Sequence, residues 1–240
     1  MSAQLDTRNP RTGDGDEGID ARRLYTKKPR AYRRFVGLFG YPQGLRHYFR
    51  RCGLLRPGLR ILDAGCGFGA VSLGLHDALV ERGFAGCTID GFDLTPAMLD
   101  LFRESIASRG IENIRLVQTN VLELETLPPE WRDYDLLVTS AMLEYLPKPR
   151  LAEALMGLRA RLRPDGSLVL FITRDNWLMR PLIGWLWESN LYRREELARA
   201  LDAAGFSYRF TRFPFPHWLL NLWGLVVEAR PEQANVNKQA

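Results

Sequence analysis

Chemistry enters this chain at Asp63-Ala64-Gly65-Cys66-Gly67-Phe68-Gly69, where an apolar run, Leu59 to Ala64, meets glycines at alternate positions. Glycines in such a turn let the backbone bend sharply and let a ligand approach the main chain, while the amides opening the next helix face that ligand. Two ligand classes compete for the turn. Gly65-x-Gly67-x-x-Ala70 satisfies the dinucleotide fingerprint, a pattern of low specificity. Asp63 argues for the other class. A carboxylate beside a pyrophosphate meets like charge, whereas it suits a ligand carrying an amino group and a sulfonium.

The elements that must hold this turn follow from hydrophobic periodicity. Leu59 to Ala64 reads as a short strand, and Val71, Leu75 and Leu79 mark the helix after it. Cys87 to Phe92 is a second strand. Thr95 and Pro96 open a helix that buries Met98, Leu99, Phe102 and Ile106 and stops at Gly110. Ile114 to Thr119 and Tyr134 to Ala141 are further strands. A helix from about Arg150 to Leu162 turns through Pro164-Asp165-Gly166 into the strand Ser167 to Thr173. Arg193 to Ala204 is a helix ended by Gly205, and Phe206 to Phe213 and Leu222 to Ala229 are two closing strands. Alternating strands and helices imply a parallel sheet covered on both faces. The closing pair, with no helix between its strands, requires one strand to run antiparallel.

On these motifs the chain, from about Leu54 to Arg230, resembles the class I S-adenosylmethionine-dependent methyltransferases. The resemblance implies that Asp63, Gly65, Cys66, Gly67 and Gly69 form the cofactor turn. In Gly91-Phe92-Asp93-Leu94 it assigns Asp93 to the ribose hydroxyls, with Leu94 and Met98 on the adenine side; Asp90 sits at the wrong distance and is structural. In Gln118-Thr119-Asn120-Val121 the family usually carries an acid where this chain has Asn120. An amide oxygen can accept the same hydrogen bond from the adenine amino group. Tyr134 to Pro147 is similar to the family's segment at the mouth of the methyl-transfer site, which places Ser140 near the methionine part of the cofactor. Arg163-Pro164-Asp165-Gly166 resembles the family's turn before the fifth strand. The implied architecture is α/β: a Rossmann-like, seven-stranded, mostly parallel sheet with one antiparallel strand, helices on both faces and an N-terminal helical extension. Residues 1–20 read as a disordered tail, 21–56 as a basic helical extension, 57–230 as the methyltransferase domain and 231–240 as a polar tail.

No catalytic residue is fixed by the sequence. Glu144 occupies a position where related enzymes carry a Glu-His pair, but Tyr145 replaces the histidine. It is a candidate base, or else a rim or capping residue. His217, beside Trp218, is a second candidate base; His47 and His76 read as structural. Cys52, Cys66 and Cys87 are too scattered for a disulfide framework or a metal site, which fits a reducing cytoplasm. The Met1 to Asp20 stretch lacks a signal-peptide core, and no apolar run is long enough to span a bilayer.

The net charge of +5 is concentrated. Ala21 to Arg60 contains no acid but many Arg and Lys, interleaved with Tyr25, Tyr32, Phe35, Phe39, Tyr41, Tyr48 and Phe49. The segment reads either as a solvated basic face with inward aromatics or as a surface for anionic lipid. Trp177, Trp185 and Trp187 follow the fifth strand, as a pocket wall, an interfacial patch or a buried helix. Together these imply S-adenosylmethionine as cofactor, a small, apolar or lipid-like acceptor, peripheral contact with anionic membrane, and no nucleic-acid partner. The alternatives are a non-catalytic cofactor- or partner-binding module, or a protein or nucleic-acid methyltransferase. Against the last, the fourth strand lacks an Asn/Asp-Pro-Pro-aromatic motif.

Overall fold

The computed structural model describes residues 37, 40–177 and 189–232. Most of the basic stretch before Gly40, Trp185, Trp187, the first 20 residues and nearly all of the polar tail lie outside the described residues. Twelve regular elements follow in chain order: α1 Tyr41–Arg51, β1 Arg60–Ala64, α2 Ala70–Glu81, β2 Thr88–Asp93, α3 Pro96–Arg109, β3 Ile114–Gln118, β4 Tyr134–Ser140, α4 Leu151–Arg159, β5 Leu162–Thr173, α5 Arg194–Ala203, β6 Phe206–Thr211 and β7 Gly224–Pro231.

The seven strands form one sheet in the order β3-β2-β1-β4-β5-β7-β6. Strands β1 to β5 pair in parallel, and β7 runs antiparallel to both β5 and β6. Strand order reverses between β1 and β4, so the loops after their C-terminal ends can part and leave a crevice. The two faces of β1 show how alternation builds the core. Ile61 packs with α1, α2 and α3, whose Leu45, Phe49, Leu75 and Phe102 are fully buried. Leu62 faces the other way, toward Leu155, Leu158, Leu197 and Leu201 of α4 and α5. Each fully buried Leu or Phe in these layers contributes about 1.5–3 kcal/mol.

Several boundaries differ from the periodicity, three of them for a plain local reason. Strand β5 begins at Leu162, not Ser167, because Leu162 pairs with Tyr134 before the register shifts between Tyr134 and Leu136. Gly166 makes that shift feasible, since a β-carbon there would lie 2.8 Å from the Tyr134 carbonyl oxygen. Helix α4 accordingly stops at Arg159. Strand β7 begins at Gly224 because His217–Leu222 winds into a 3-10 turn.

Helix α1 holds part of the basic stretch. Leu45, Tyr48, Phe49 and Gly44 point inward. Arg46 and Arg50 reach Glu81 of α2, the latter at 2.6 Å. Further on, Arg56 meets Asp135 at 2.6 Å, and the Arg60 side chain donates to the Glu130 carbonyl at 2.8 Å. The described part of the basic stretch is therefore largely matched by acids of other elements. It is a tie between helices and sheet rather than an unpaired positive face. Among the described residues no helix is long and apolar enough to cross a membrane.

Candidate active site

The glycine turn, Asp93, Asn120 and Ser140 lie at or just beyond the C-terminal ends of β1, β2, β3 and β4, around the β1–β4 switch point. Gly65, Gly67 and Gly69 have φ of 73°, 53° and 89°, a region costly for residues with a β-carbon. Their surroundings separate their roles. A β-carbon at Gly65 would collide with Met142, and one at Gly69 with Phe102, so these two serve packing of the turn. At Gly67 nothing lies within 4 Å of that direction. Gly67 is the glycine whose missing side chain leaves the crevice open.

Asp63 is fully buried at the foot of the turn. One carboxylate oxygen accepts from the Ser72 backbone N–H at 3.1 Å and from the Ser72 hydroxyl at 2.6 Å. The other, Oδ1, has no hydrogen-bond partner in the fold. Burial pushes this carboxyl up to about 7, against the two Ser72 bonds that favour the charged form. A buried acceptor without a donor is costly, and a cationic or N–H-bearing ligand would relieve it. Ser72 was not singled out from the sequence. Its only signal is a hydroxyl one turn into the helix that the glycines open.

Asp93 ends β2 half-buried. Its carboxylate accepts from Thr95 N–H at 2.8 Å and from Gly67 N–H at 2.9 Å, tying the second strand end to the glycine turn. Burial raises its pKa, and hydrogen bonds from Thr95 and Gly67 oppose the rise. Thr95 holds the N-cap position of α3 but makes no side-chain capping bond. Asp90 is structural, as its spacing implied: buried, it takes Arg115 through two bonds at 2.7 and 3.0 Å and the Tyr134 hydroxyl at 2.8 Å.

The remaining candidates divide. Leu94 is half-buried beside Asp93, and Met98 is buried on the first turn of α3. Cys66 turns its thiol into the core, where Gly91 makes room for it; only its backbone belongs to the turn. Val121 likewise joins the core on the α4–α5 face. Asn120 is a turn-former here, its Oδ1 accepting from Leu122 N–H at 3.1 Å. That leaves the oxygen one lone pair for a ligand.

Ser140, at the end of β4, meets a residue that spacing did not reveal. The Tyr41 hydroxyl of α1 lies 2.6 Å from Ser140 Oγ. Helix α1 thus closes over the mouth of the crevice. Ala141 follows in the left-handed region, φ 52°, a strained conformation for a non-glycine residue. It aims Met142 onto Gly65.

Glu144 is neither at the rim nor capping a helix. It is buried, and both oxygens are taken by Thr173, from the backbone N–H at 3.1 Å and the hydroxyl at 2.7 Å. Burial pushes its carboxyl up to about 7. His217 stands against His47 of α1, ring centroids 5.5 Å apart; its pKa is lowered, by burial and by His47. The hydrogen bonds that Asp63 and Asp93 accept come from other residues, Ser72, Gly67 and Thr95.

A glycine turn and two carboxylates at the switch point of a mostly parallel sheet define a cofactor-binding α/β domain. Residues 61–166 match the family described as a methyltransferase domain. Over 113 residues the chain is 33% identical to a malonyl-[acyl-carrier protein] O-methyltransferase of Halalkalibacterium halodurans, covering 47% of this chain and 38% of that protein. It is 31% identical over 121 residues to a ubiquinone biosynthesis O-methyltransferase of Haemophilus ducreyi, covering 50% of this chain and 46% of that one. The match thus spans less than half the length of these curated relatives. In fold it is similar to magnesium protoporphyrin IX methyltransferase from Synechocystis with bound SAH, TM-score 0.66 at 18% identity, covering 88% of this chain and 98% of that one. Over residues 61–166 the chain is thus similar to methyltransferase domains, in line with the resemblance that its motifs carry.

Proposed function

We propose that this protein is an S-adenosylmethionine-dependent methyltransferase acting on a small acceptor of apolar or lipid-like character. The observation that carries the reading is Asp63 Oδ1, buried and without a donor, beside the one glycine of the turn that opens onto free space. Those features fit a ligand with an ammonium group and a compact sulfonium better than a pyrophosphate.

In this reading Asp63 receives the amino group, Asp93 the ribose hydroxyls, and Leu94 and Met98 the adenine flank, with Gly67 giving close access to the main chain. When bound, the cofactor supplies an electrophilic methyl group on sulfur. The protein's part is alignment. The Tyr41–Ser140 contact narrows the approach and excludes water, so that an acceptor is held in line. No buried base is needed for an acceptor that enters already ionised. The named relatives act, by their names, on malonyl-acyl carrier protein and in ubiquinone biosynthesis, which supports a metabolite-sized acceptor group. Three unpaired, buried cysteines suit a reducing cytoplasm. Peripheral contact with anionic lipid belongs to the same reading.

Calorimetry with S-adenosylmethionine, its demethylated product and NAD tests the assignment. Binding of the first two without NAD is expected. NAD binding with no response to the others would overturn it.

A further inference from the structure

Among the described residues, an exposed apolar face lies on the C-terminal rim of the sheet, outside the crevice. Trp177, Phe215, Trp218, Leu219 and Leu222 are 84%, 75%, 52%, 54% and 45% exposed. Isolated apolar side chains on a surface need no explanation, but a cluster does. Two hydrogen bonds make these residues one cluster by joining the segment after β5 to the β6–β7 connection. Arg174 N–H donates to the Trp223 carbonyl at 2.9 Å, and Asn176 Nδ2 donates to the Leu222 carbonyl at 2.6 Å.

The connection is built to face outward. Asn221 closes it, accepting from Phe213 N–H at 2.8 Å and donating to the Trp218 carbonyl at 2.8 Å. Leu220 is buried between, and Gly44 of α1 leaves the room that Leu220 and His217 fill. Trp218, Leu219 and Leu222 therefore point to solvent because the inner side of the same turn is anchored on α1.

The charge of this rim is mostly positive. From Ala203 to Val227 the sequence holds no Asp or Glu, and Arg174 and Arg212 are exposed at its margins. Tryptophans and leucines framed by arginines, with the Asp175 carboxylate between Arg174 and Trp177 tied to Arg193 at 3.3 Å, match the interfacial zone of an anionic bilayer. A protein partner would need its own apolar and acidic surface; a bilayer offers both chemistries everywhere.

We propose that this face docks on an anionic lipid bilayer. The same turn rests on α1, whose Tyr41 closes the crevice at Ser140, so docking sets the mouth of the site at the membrane surface. The acceptor class that follows is an amphiphile carried in the membrane. That last step rests on the methyl-transfer reading; the docking does not.

The test is co-sedimentation of the full chain with phosphatidylglycerol vesicles and with phosphatidylcholine vesicles, across ionic strength. Binding to phosphatidylglycerol that weakens with salt but persists is expected, with little on phosphatidylcholine. Replacing Trp218, Leu219 and Leu222 with Ser should lower binding at least about tenfold and remove its salt-resistant part. Arg174→Gln with Arg212→Gln should remove only the salt-sensitive part, which keeps the test open if the first variant folds poorly. No pelleting of the parent at low salt overturns the proposal, as does equal binding to both lipids or a triple variant that pellets like the parent. A dimer that the triple variant splits, with neither form pelleting, makes the face a self-association surface and also overturns it. Calorimetry with S-adenosylmethionine on the same samples separates the two readings. Vesicle binding without cofactor binding would keep the docking face and remove the methyltransferase assignment.

Discussion

At the scale of single residues, the carboxylates of the crevice differ in what they already hold. Asp63 has one satisfied and one orphaned oxygen, whereas both oxygens of Asp93 are engaged by the backbone of Gly67 and Thr95. Asp63→Asn retains an acceptor for Ser72 but loses the charge offered to a ligand. It should weaken S-adenosylmethionine about tenfold or more, the scale of a hydrogen bond to a charged group, while the ligand-free protein melts no lower at pH 8. Calorimetry and thermal melts read both; unchanged affinity would remove Asp63 from the site. Asp93→Ala should also weaken binding by more than about 1.5 kcal/mol. Part of that loss belongs to the glycine turn, which Asp93 holds in place.

At the scale of elements, the alternating strands and helices were legible because each strand buries one face in each layer, as Ile61 and Leu62 do. The glycine turn was legible because few residue types tolerate its backbone. What could not be read was contact between elements distant in sequence. Tyr41 looks like another inward aromatic of a basic helix, and nothing in its spacing reports Ser140, ninety-nine residues on. Glu144 looks like a polar residue after a strand, and only the fold shows Thr173 claiming both its oxygens. The cross-element contact gives a prediction. Tyr41→Phe keeps the ring against Phe213, centroids 6.2 Å apart, and removes only the hydroxyl. Stability should fall by no more than about 1 kcal/mol. Methyl transfer, once an acceptor is in hand, should lose turnover with cofactor affinity little changed. Equal turnover would make the contact a packing detail.

At the scale of the whole molecule, buried carboxyls shape how stability responds to pH, Asp63 and Glu144 foremost, with Asp93 raised in the same sense. Asp63 and Glu144 are each pushed by burial to about 7 in the fold, from ordinary values of 3.8 and 4.5. Between those values and 7 the native protein holds protons that the unfolded chain has released. Stability from these groups is therefore complete below about pH 4 and is lost as pH rises through 7. The scale is on the order of 3 kcal/mol for each carboxyl. Asp135 works in the opposite sense at lower pH. Burial would raise it, but hydrogen bonds from Arg60, Arg163 and Arg56 outweigh burial and hold it below its ordinary value, so its contribution is lost on acidification. His76 and His217, both lowered by burial, also oppose as pH falls, but both are only half-buried, which discounts them. The ligand-free protein should thus melt higher at about pH 5.5 than at about pH 8. Glu144→Gln can keep both Thr173 bonds without a charge, so it should raise the melting point at the higher pH and flatten the profile. Saturating S-adenosylmethionine should flatten it too, by favouring ionised Asp63, and its stabilising effect should therefore grow with pH. Scanning calorimetry of parent and variant at the two pH values, with and without ligand, reads all three; a parent whose melting point rises toward pH 8 would show that these carboxyls are not held as the fold places them.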